Sequence, residues 1–198
     1  MFAKVENNQV IKVSSQLTDF IPFEHARVWD KAQREANGLY DVNYDTSNLK
    51  SEEFYINGAE TIAFANGQVT ATYGIATAKK LEDVNAVDQN GQPVLDRDGK
   101  QVIILGLKSN HVSRIKSQAA GALQSTDWYV IRNAESGAAI PANVATYRAA
   151  VRSKSNDMEA LINAVSTVEQ LAALYAYVNT GTEQSPVFAR PLGEFPRL

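Results

Sequence analysis

The sequence predicts an α+β protein: an antiparallel β-rich N-terminal domain that carries one helix, then a C-terminal helical domain and an extended proline-rich arm. Three observations carry that expectation. Up to residue 107 the chain alternates β-branched and aromatic runs with Asn-Gly and Asp-Gly pairs, which are turn signals. From residue 108 apolar side chains recur at intervals of three and four, the period of one helix face. In 182–198, Pro186, Pro191 and Pro196 rule out a continuous helix or ladder, because proline lacks the N–H that both require. The expected domains are therefore 1–107, 108–181 and 182–198.

Taken in order, Phe2-Ala3-Lys4-Val5-Glu6 and Val10-Ile11-Lys12-Val13 read as a hairpin about Asn7-Asn8. Asparagine tolerates the positive φ of a tight hairpin turn. Pro22 and Phe23 introduce one helix over Glu24 to Asn37, with Ala26, Trp29, Ala32, Gln33 and Ala36 at helical spacing. Gly38 stands where a helix end turns left-handed. Leu39 to Tyr44 alternates and predicts a strand. Asn57-Gly58, Asn66-Gly67, Asn90-Gly91 and Asp98-Gly99 then separate Phe54–Ile56, Thr61–Phe64, Val69–Tyr73 and Val102–Leu105, which predicts an antiparallel meander. Its most projecting piece is one Val84–Gln101 hairpin with a polar middle, either a solvated decoration or a finger that reaches a neighbouring subunit.

In the helical part, Val112, Ile115, Ala119, Ala122 and Leu123 form one stripe. Ser125-Thr126-Asp127 ends it, since short polar side chains bond their own backbone in competition with the helix. A connection then runs from Trp128 through a polar bend at Asn133 to Gly137 and is expected to pack under Trp128. Pro141 opens a second helix, its fixed φ already helical. Val144, Tyr147 and Val151 make the apolar stripe of that helix, with Arg148 and Arg152 on an adjoining face. Two readings of this group stand side by side. In the structural one, Thr126 or Asp127 caps N–H groups of the bend and Trp128 fills the angle between the helices, so that Trp128→Ala costs about 3–5 kcal/mol. In the other, Trp128, Tyr147, Arg148 and Arg152 form a docking face, because Trp, Tyr and Arg dominate interface hot spots. An Asp127 pair with Arg148 or Arg152 serves either.

Asn156 to Ala164 and Thr167 to Val178 predict further helices, the second opened by the capping-box spacing Thr167-x-x-Gln170 and ended by Gly181. Val187, Phe188, Leu192 and Phe195 are strung along the arm, with Phe188 and Phe195 the candidates for a partner's surface. Removal of 182–198 is expected to leave a folded monomer with weakened assembly.

Composition narrows the function. Hydrophobic content of 44% and charge of 21% are those of an ordinary globular chain. No apolar run reaches the ~20 residues that span a bilayer, and Met1-Phe2-Ala3-Lys4 leads straight into an alternating pattern, so neither membrane insertion nor secretion is expected. Cysteine is absent, which excludes disulfides, thiolate metal sites and a cysteine nucleophile. Residues 1–107 hold 10 basic and 15 acidic side chains, and residues 108–198 hold 9 and 7. Neither part has the concentrated basic face of a nucleic-acid binder.

Little points to chemistry. His25 and His111 lie far apart in the chain, and each reads as an ordinary helix-surface or interface histidine rather than a metal ligand. Asp96-x-Asp98-Gly99 has the opening of a calcium loop, but Lys100 and Leu107 fall where further oxygen ligands belong, so a hairpin turn is expected. Gly-x-Ser-x-Gly is missing. Glu52 and Glu53 adjoin and would point to opposite faces of a strand. The expectation is no catalytic residue, no metal and no cofactor.

An Arg-bearing helix, then Leu-x-x-Thr-Asp-Trp, then an acidic bend, then Tyr-Arg-x-x-x-Arg resembles the module of bacteriophage tail assembly chaperones, small proteins associated with tail-fibre assembly. The residues that carry the likeness are Arg114, Leu123, Thr126, Asp127, Trp128, Tyr147, Arg148 and Arg152, within 108–152. Val151 stands where that family usually has leucine, and Gln118 where a second arginine is common. The chain also continues with helical sequence where the family closes on Trp-Pro. The resemblance implies a non-enzymatic protein of the host cytoplasm that binds other phage tail or tail-fibre proteins, or a second copy of itself. The alternative is a permanent virion component such as a baseplate or fibre adaptor.

Overall fold

The computed structural model describes residues 1–198 and is a mixed α+β protein. β1 (Phe2–Glu6) and β2 (Gln9–Ser14) pair antiparallel around Asn7 and Asn8, whose φ values of 50° and 61° give the hairpin turn the sequence predicts. A short 3-10 turn, Leu17–Asp19, follows. The single helix expected over 24–37 is two, α1 (Phe23–Val28) and α2 (Lys31–Ala36). Trp29 is extended, and Asp30 caps the second helix: its carboxylate accepts from Gln33 N at 2.7 Å while Gln33 Oε1 accepts from Asp30 N at 2.9 Å. Reciprocal capping of two otherwise orphaned N–H groups outweighs one more turn of helix.

β3 (Leu39–Asp45), β4 (Tyr55–Ile56), β5 (Glu60–Ala65), β6 (Gln68–Tyr73) and β7 (Thr77–Ala78) complete the first of two compact units, Met1–Ala78. The sheet order is β2-β1-β3-β6-β5, and β3 runs parallel to β6 with Val42 opposite Val69, so this is not the antiparallel meander the turn signals predict. The cause lies in 46–59. Asn57 does not turn the chain; its side-chain amide holds Lys50 N and Lys50 O at 2.9 Å each, pinning a long loop that delivers the β5–β6 hairpin with β6 inside. Asn66 and Gly67, both at positive φ, close that hairpin as expected. The sheet curls until β2 approaches β5, around Ala3, Val5, Val42, Val69 and Ala71. Alternation places these side chains on one face.

The second unit is Lys79–Leu198, so the division falls well ahead of the 107/108 boundary drawn from the change of residue pattern. Residues 79–106 belong with the helices because their backbone is bonded there. Leu107 N donates to Lys80 O at 2.9 Å, Lys108 N to Leu81 O at 3.1 Å, and Gly106 N to the Asp83 carboxylate at 2.7 Å. At Gly106 a Cβ would sit 2.4 Å from the Glu82 carbonyl carbon, so only glycine lets the two segments approach. Within 79–106, β8 (Val84–Asn85) pairs with β9 (Ile103–Ile104), and the 102–105 segment forms no part of the larger sheet. Between β8 and β9 stand two turns where one hairpin was expected. Asp88 and Asp96 each accept two backbone N–H groups through Oδ1, and Gly91 and Gly99 take φ of 76° and 78°. Asp96 therefore holds a turn.

α3 (Leu107–Gln124), α4 (Asp127–Ser136), α5 (Ala142–Ala164) and α6 (Val168–Tyr175) follow. α3 buries Leu107, His111, Ile115 and Ala119. α5 runs unbroken through Asn156, so the expected separate 156–164 helix is its second half. It buries Val144, Arg148, Val151, Ser155, Met158 and Ile162, the alternating four-three spacing of a helix seam. Tyr147 reaches Ala122, and Glu159 pairs with Lys116 at 3.3 Å, so α3 and α5 lie antiparallel. Thr167 and Gln170 form the capping box of α6. The helix stops at Tyr175 rather than Val178, because β10 (Val178–Asn179) pairs with β11 (Phe188–Ala189). That ribbon returns the tail to the helices. Leu192 is 0% exposed and its N–H donates to Leu174 O at 3.0 Å, so the tail is anchored to the helical unit at this point. No helix is long and apolar enough to cross a membrane.

Candidate functional site

The corner where α3, α4 and α5 meet holds most of the residues singled out in the sequence. The end of α3 leaves carbonyls without intrahelical partners. Three side chains take them up: Tyr147 OH donates to Ala122 O at 2.9 Å, Thr126 Oγ1 to Leu123 O at 2.7 Å, and Arg148 Nη1 to Leu123 O at 3.1 Å. Arg148 Nη1 also donates to Thr126 Oγ1 at 2.6 Å, and Nη2 pairs with Asp127 Oδ1 at 2.8 Å. Arg148 and Thr126 are both buried. The guanidinium thus meets the negative end of the α3 dipole and the carboxylate at the start of α4 together, a favourable use of one buried charge. Asp127 pairs with Arg148, one of the two partners foreseen for it.

The connection after Thr126 is itself a helix, and this changes the place of Trp128. Asp127 becomes the first residue of α4, and Gly137, at φ 71°, ends it with its N–H on Asn133 O. Trp128 is 49% exposed, so it does not fill the angle between α3 and α5 as the structural reading expected. Its ring lies 3.7 Å from that of Tyr129, centroid to centroid, and the Arg132 guanidinium sits 4.9 Å from the Trp128 ring and 5.5 Å from the Tyr129 ring. α4 buries none of its residues, and Ile131 is 57% exposed beside this stack.

The candidates divide accordingly. Thr126, Asp127, Tyr147 and Arg148 form the chain's own clamp, whereas Trp128 lies on the surface. Arg148 is on the buried face of α5, not the adjoining face, because a charged group with this many partners is satisfied inside. Arg152 is exposed, at a shallow hollow of about 350 Å³ with Lys116 and Asn156. Pro141 is the N-cap of α5. Arg132 was missed by reasoning on the sequence, since 128–137 read as a loop. The signal was present, four residues on from Trp128 and three from Tyr129.

The tail forms a second, separate feature. Phe188 is 64% exposed on β11. Phe195 is half-buried and lines an open cleft of about 620 Å³ with Gln118, Ala122, Tyr177 and Arg190. Beside it Tyr177 OH donates to Glu194 Oε1 at 2.7 Å, and Arg190 bonds both carboxylate oxygens, at 2.7 and 2.9 Å. The tyrosine's hydrogen bond, with help from Arg190, holds the Glu194 carboxyl below its ordinary value, while the same bond raises the Tyr177 hydroxyl. His111 is buried, with Nδ1 at 2.7 Å from both Tyr175 OH and Arg114 Nη2, so it packs inside the helical unit, where a helix-surface or interface histidine was expected. No family model, no curated protein and no solved structure matches this chain.

Proposed function

We propose that the chain is a non-enzymatic bacteriophage tail protein that acts in tail or tail-fibre assembly by binding another phage tail protein. The observation that carries this reading is the indole of Trp128, stacked on Tyr129 under Arg132 and open to solvent on a helix that buries none of its own residues. An amphipathic aromatic held rigid before binding loses little entropy on docking, which is why such residues anchor interfaces. The clamp of Thr126, Asp127 and Arg148 supplies the rigidity, and the resemblance to tail assembly chaperones supplies the class of partner. To this reading belongs a finer architecture: a β-rich N-terminal body, a helical body that carries the docking face, and a C-terminal arm. That arm, anchored at Leu192, leaves Phe188 for the partner. The protein acts in the host cytoplasm, without cofactor, nucleic acid or membrane.

A second reading, a permanent part of the virion, is favoured by the exposed aliphatic residues of the small β module between Val84 and Ile104. Tagged protein recovered from infected cells tests the first reading, with Trp128→Ala beside it. A phage tail protein that accompanies the native chain and not the variant supports docking at Trp128. If no phage protein accompanies the native chain, the reading fails. Mass spectrometry of purified particles separates the two, since a stoichiometric copy number in the particle removes the transient chaperone.

A further inference from the structure

Asparagine followed by glycine occurs four times, at 37–38, 57–58, 66–67 and 90–91. Such pairs are chemically labile. The glycine nitrogen, once it has lost its proton, attacks the asparagine Cγ, because no Cβ crowds its approach. A C–N bond forms, the amide nitrogen leaves as ammonia, and a five-membered succinimide results. Water then opens either carbonyl of that ring, giving aspartate or isoaspartate. The attack requires a free side-chain amide, a glycine N–H without an acceptor and a backbone able to swing. The four pairs differ in these respects.

Three of the pairs are tied. Asn37 Nδ2 donates to Gln33 O at 2.8 Å and Gly38 N to Glu35 O at 2.9 Å. A Cβ on Gly38 would meet Val5 O at 2.7 Å, so that segment is wedged against β1. The Asn57 amide spans Lys50 N and Lys50 O, and Gly58 lies so close to Gly74 that a Cβ would fall 2.6 Å from its Cα. At 90–91 the Gly91 N–H donates to Asp88 O at 3.0 Å, and Asp88 Oδ1 accepts from Asn90 N and Gln92 N at 2.8 Å each. The carboxylate so placed also opposes the negative charge that develops on the attacking nitrogen. Asn66 and Gly67 are different. Both are exposed at the tip of the β5–β6 hairpin, and neither the Asn66 amide nor the Gly67 N–H has a hydrogen-bond partner. Nothing lies within 4 Å of where a Gly67 Cβ would stand.

We propose that Asn66 is a site of spontaneous covalent modification, losing ammonia through the succinimide to become aspartate and isoaspartate, while the fold holds the other three Asn-Gly pairs intact. This is independent of any role in a phage tail. Ring closure needs the tip to swing out of its turn for a moment, and opening at a hairpin end costs little beside the release of a pinned loop. The product matters to the sheet. Ala65 pairs with Gln68 across a two-residue turn, whose φ values of 52° and 74° fit the twist of the strands. Isoaspartate inserts an extra carbon into the main chain inside that turn, so the Ala65–Gln68 pair no longer closes in the same register. β5 lies at the edge of the sheet, whereas β6 is held on its other side by β3, so β5 is the strand that loosens. Each event also adds a negative charge to the tip.

Peptide mass spectrometry of the full-length chain, aged in warm, mildly alkaline buffer, tests this. In the folded chain residue 66 is expected to gain the mass of acid over amide at least about tenfold faster than residues 37, 57 and 90, since each of those reacts only from a local opening. In urea the four rates are expected to converge, because the fold and not the neighbouring letters sets the order. A folded chain in which 37, 57 or 90 keeps pace with 66, or an unfolded one in which the same order survives, overturns the proposal. Hydrogen exchange on the aged isoaspartate form reads the consequence. Amides of Glu60–Ala65 are expected to quicken, whereas in Asn66→Asp, which adds the charge without the extra carbon, they stay as they were. Equal exchange in the aged and fresh chains overturns the assignment of β5 as the loosened strand.

Discussion

The inside and the outside of the α3–α4–α5 corner are built from neighbouring residues of one motif and serve opposite ends. Inside, Thr126 and Arg148 are buried and every polar group named there has a partner within 3.1 Å. Outside, Trp128 and Ile131 on the same short helix are half-exposed or more, and their neighbours are a tyrosine ring and a guanidinium. The residue types mislead if read by habit. Arginine went in because three acceptors wait for it at a helix end, and tryptophan stayed out because, beyond the Asp127 carboxylate that meets Arg148, α4 buries none of its side chains.

The largest effect expected from breaking the inside is that of Arg148→Met. It keeps the volume, removes the charge-assisted bonds, takes the cation from the Asp127 carboxylate and leaves the buried Thr126 hydroxyl without its donor, at a cost of about 3 kcal/mol. Thermal unfolding of the helical unit reads this as a fall in Tm of roughly 6–12 °C. Next comes a test of whether the tail counts as inside. Leu192→Ala, at a fully buried position, is expected to cost about 2–3 kcal/mol by the same measurement, and an unchanged Tm would return the tail to the status of a loose arm. Smaller again is Trp128→Ala, expected to cost under about 1 kcal/mol, since a half-exposed ring loses its stack on Tyr129 and little else. The smallest effect belongs to Glu194. Its carboxyl is held below the ordinary 4.5, so what it contributes is present above that pH and fades as acid carries the solution through the lowered value. Amide exchange at 188–194 is expected to quicken in that window before the helices change, and Glu194→Gln is expected to abolish the difference.

How much of this was legible in the sequence depended on whether a local signal decided the outcome. Asn7-Asn8, Asn66-Gly67, the Thr167 capping box and the stripe through Ile115 and Ala119 were read correctly, because turn chemistry and helix period act over a few residues. The break at Trp29 was missed since the apolar spacing continues across it, and only the Asp30–Gln33 box interrupts the backbone. The parallel pairing of β3 with β6 depends on a loop pinned by Asn57, a long-range matter that alternation does not encode. The boundary drawn at 107 followed the switch from β runs to helical spacing, whereas the chain divides ahead of the segment whose Lys80, Leu81 and Asp83 bond the start of α3. The role of Arg148 follows from orphan carbonyls at the end of α3, which exist only once the fold is formed. The repeat of 87–94 in 95–102 was present in the letters and went unread as one hairpin.

The central claim, that the Trp128 indole is outside and free to dock, is tested most directly by quenching its fluorescence with acrylamide in the folded full-length chain. Trp29→Phe leaves Trp128 as the single reporter. At 49% exposure the ring is expected to be quenched at about half the rate seen in urea or faster, with red-shifted emission. An indole shielded from the quencher, with the blue emission of a packed core, would contradict the account.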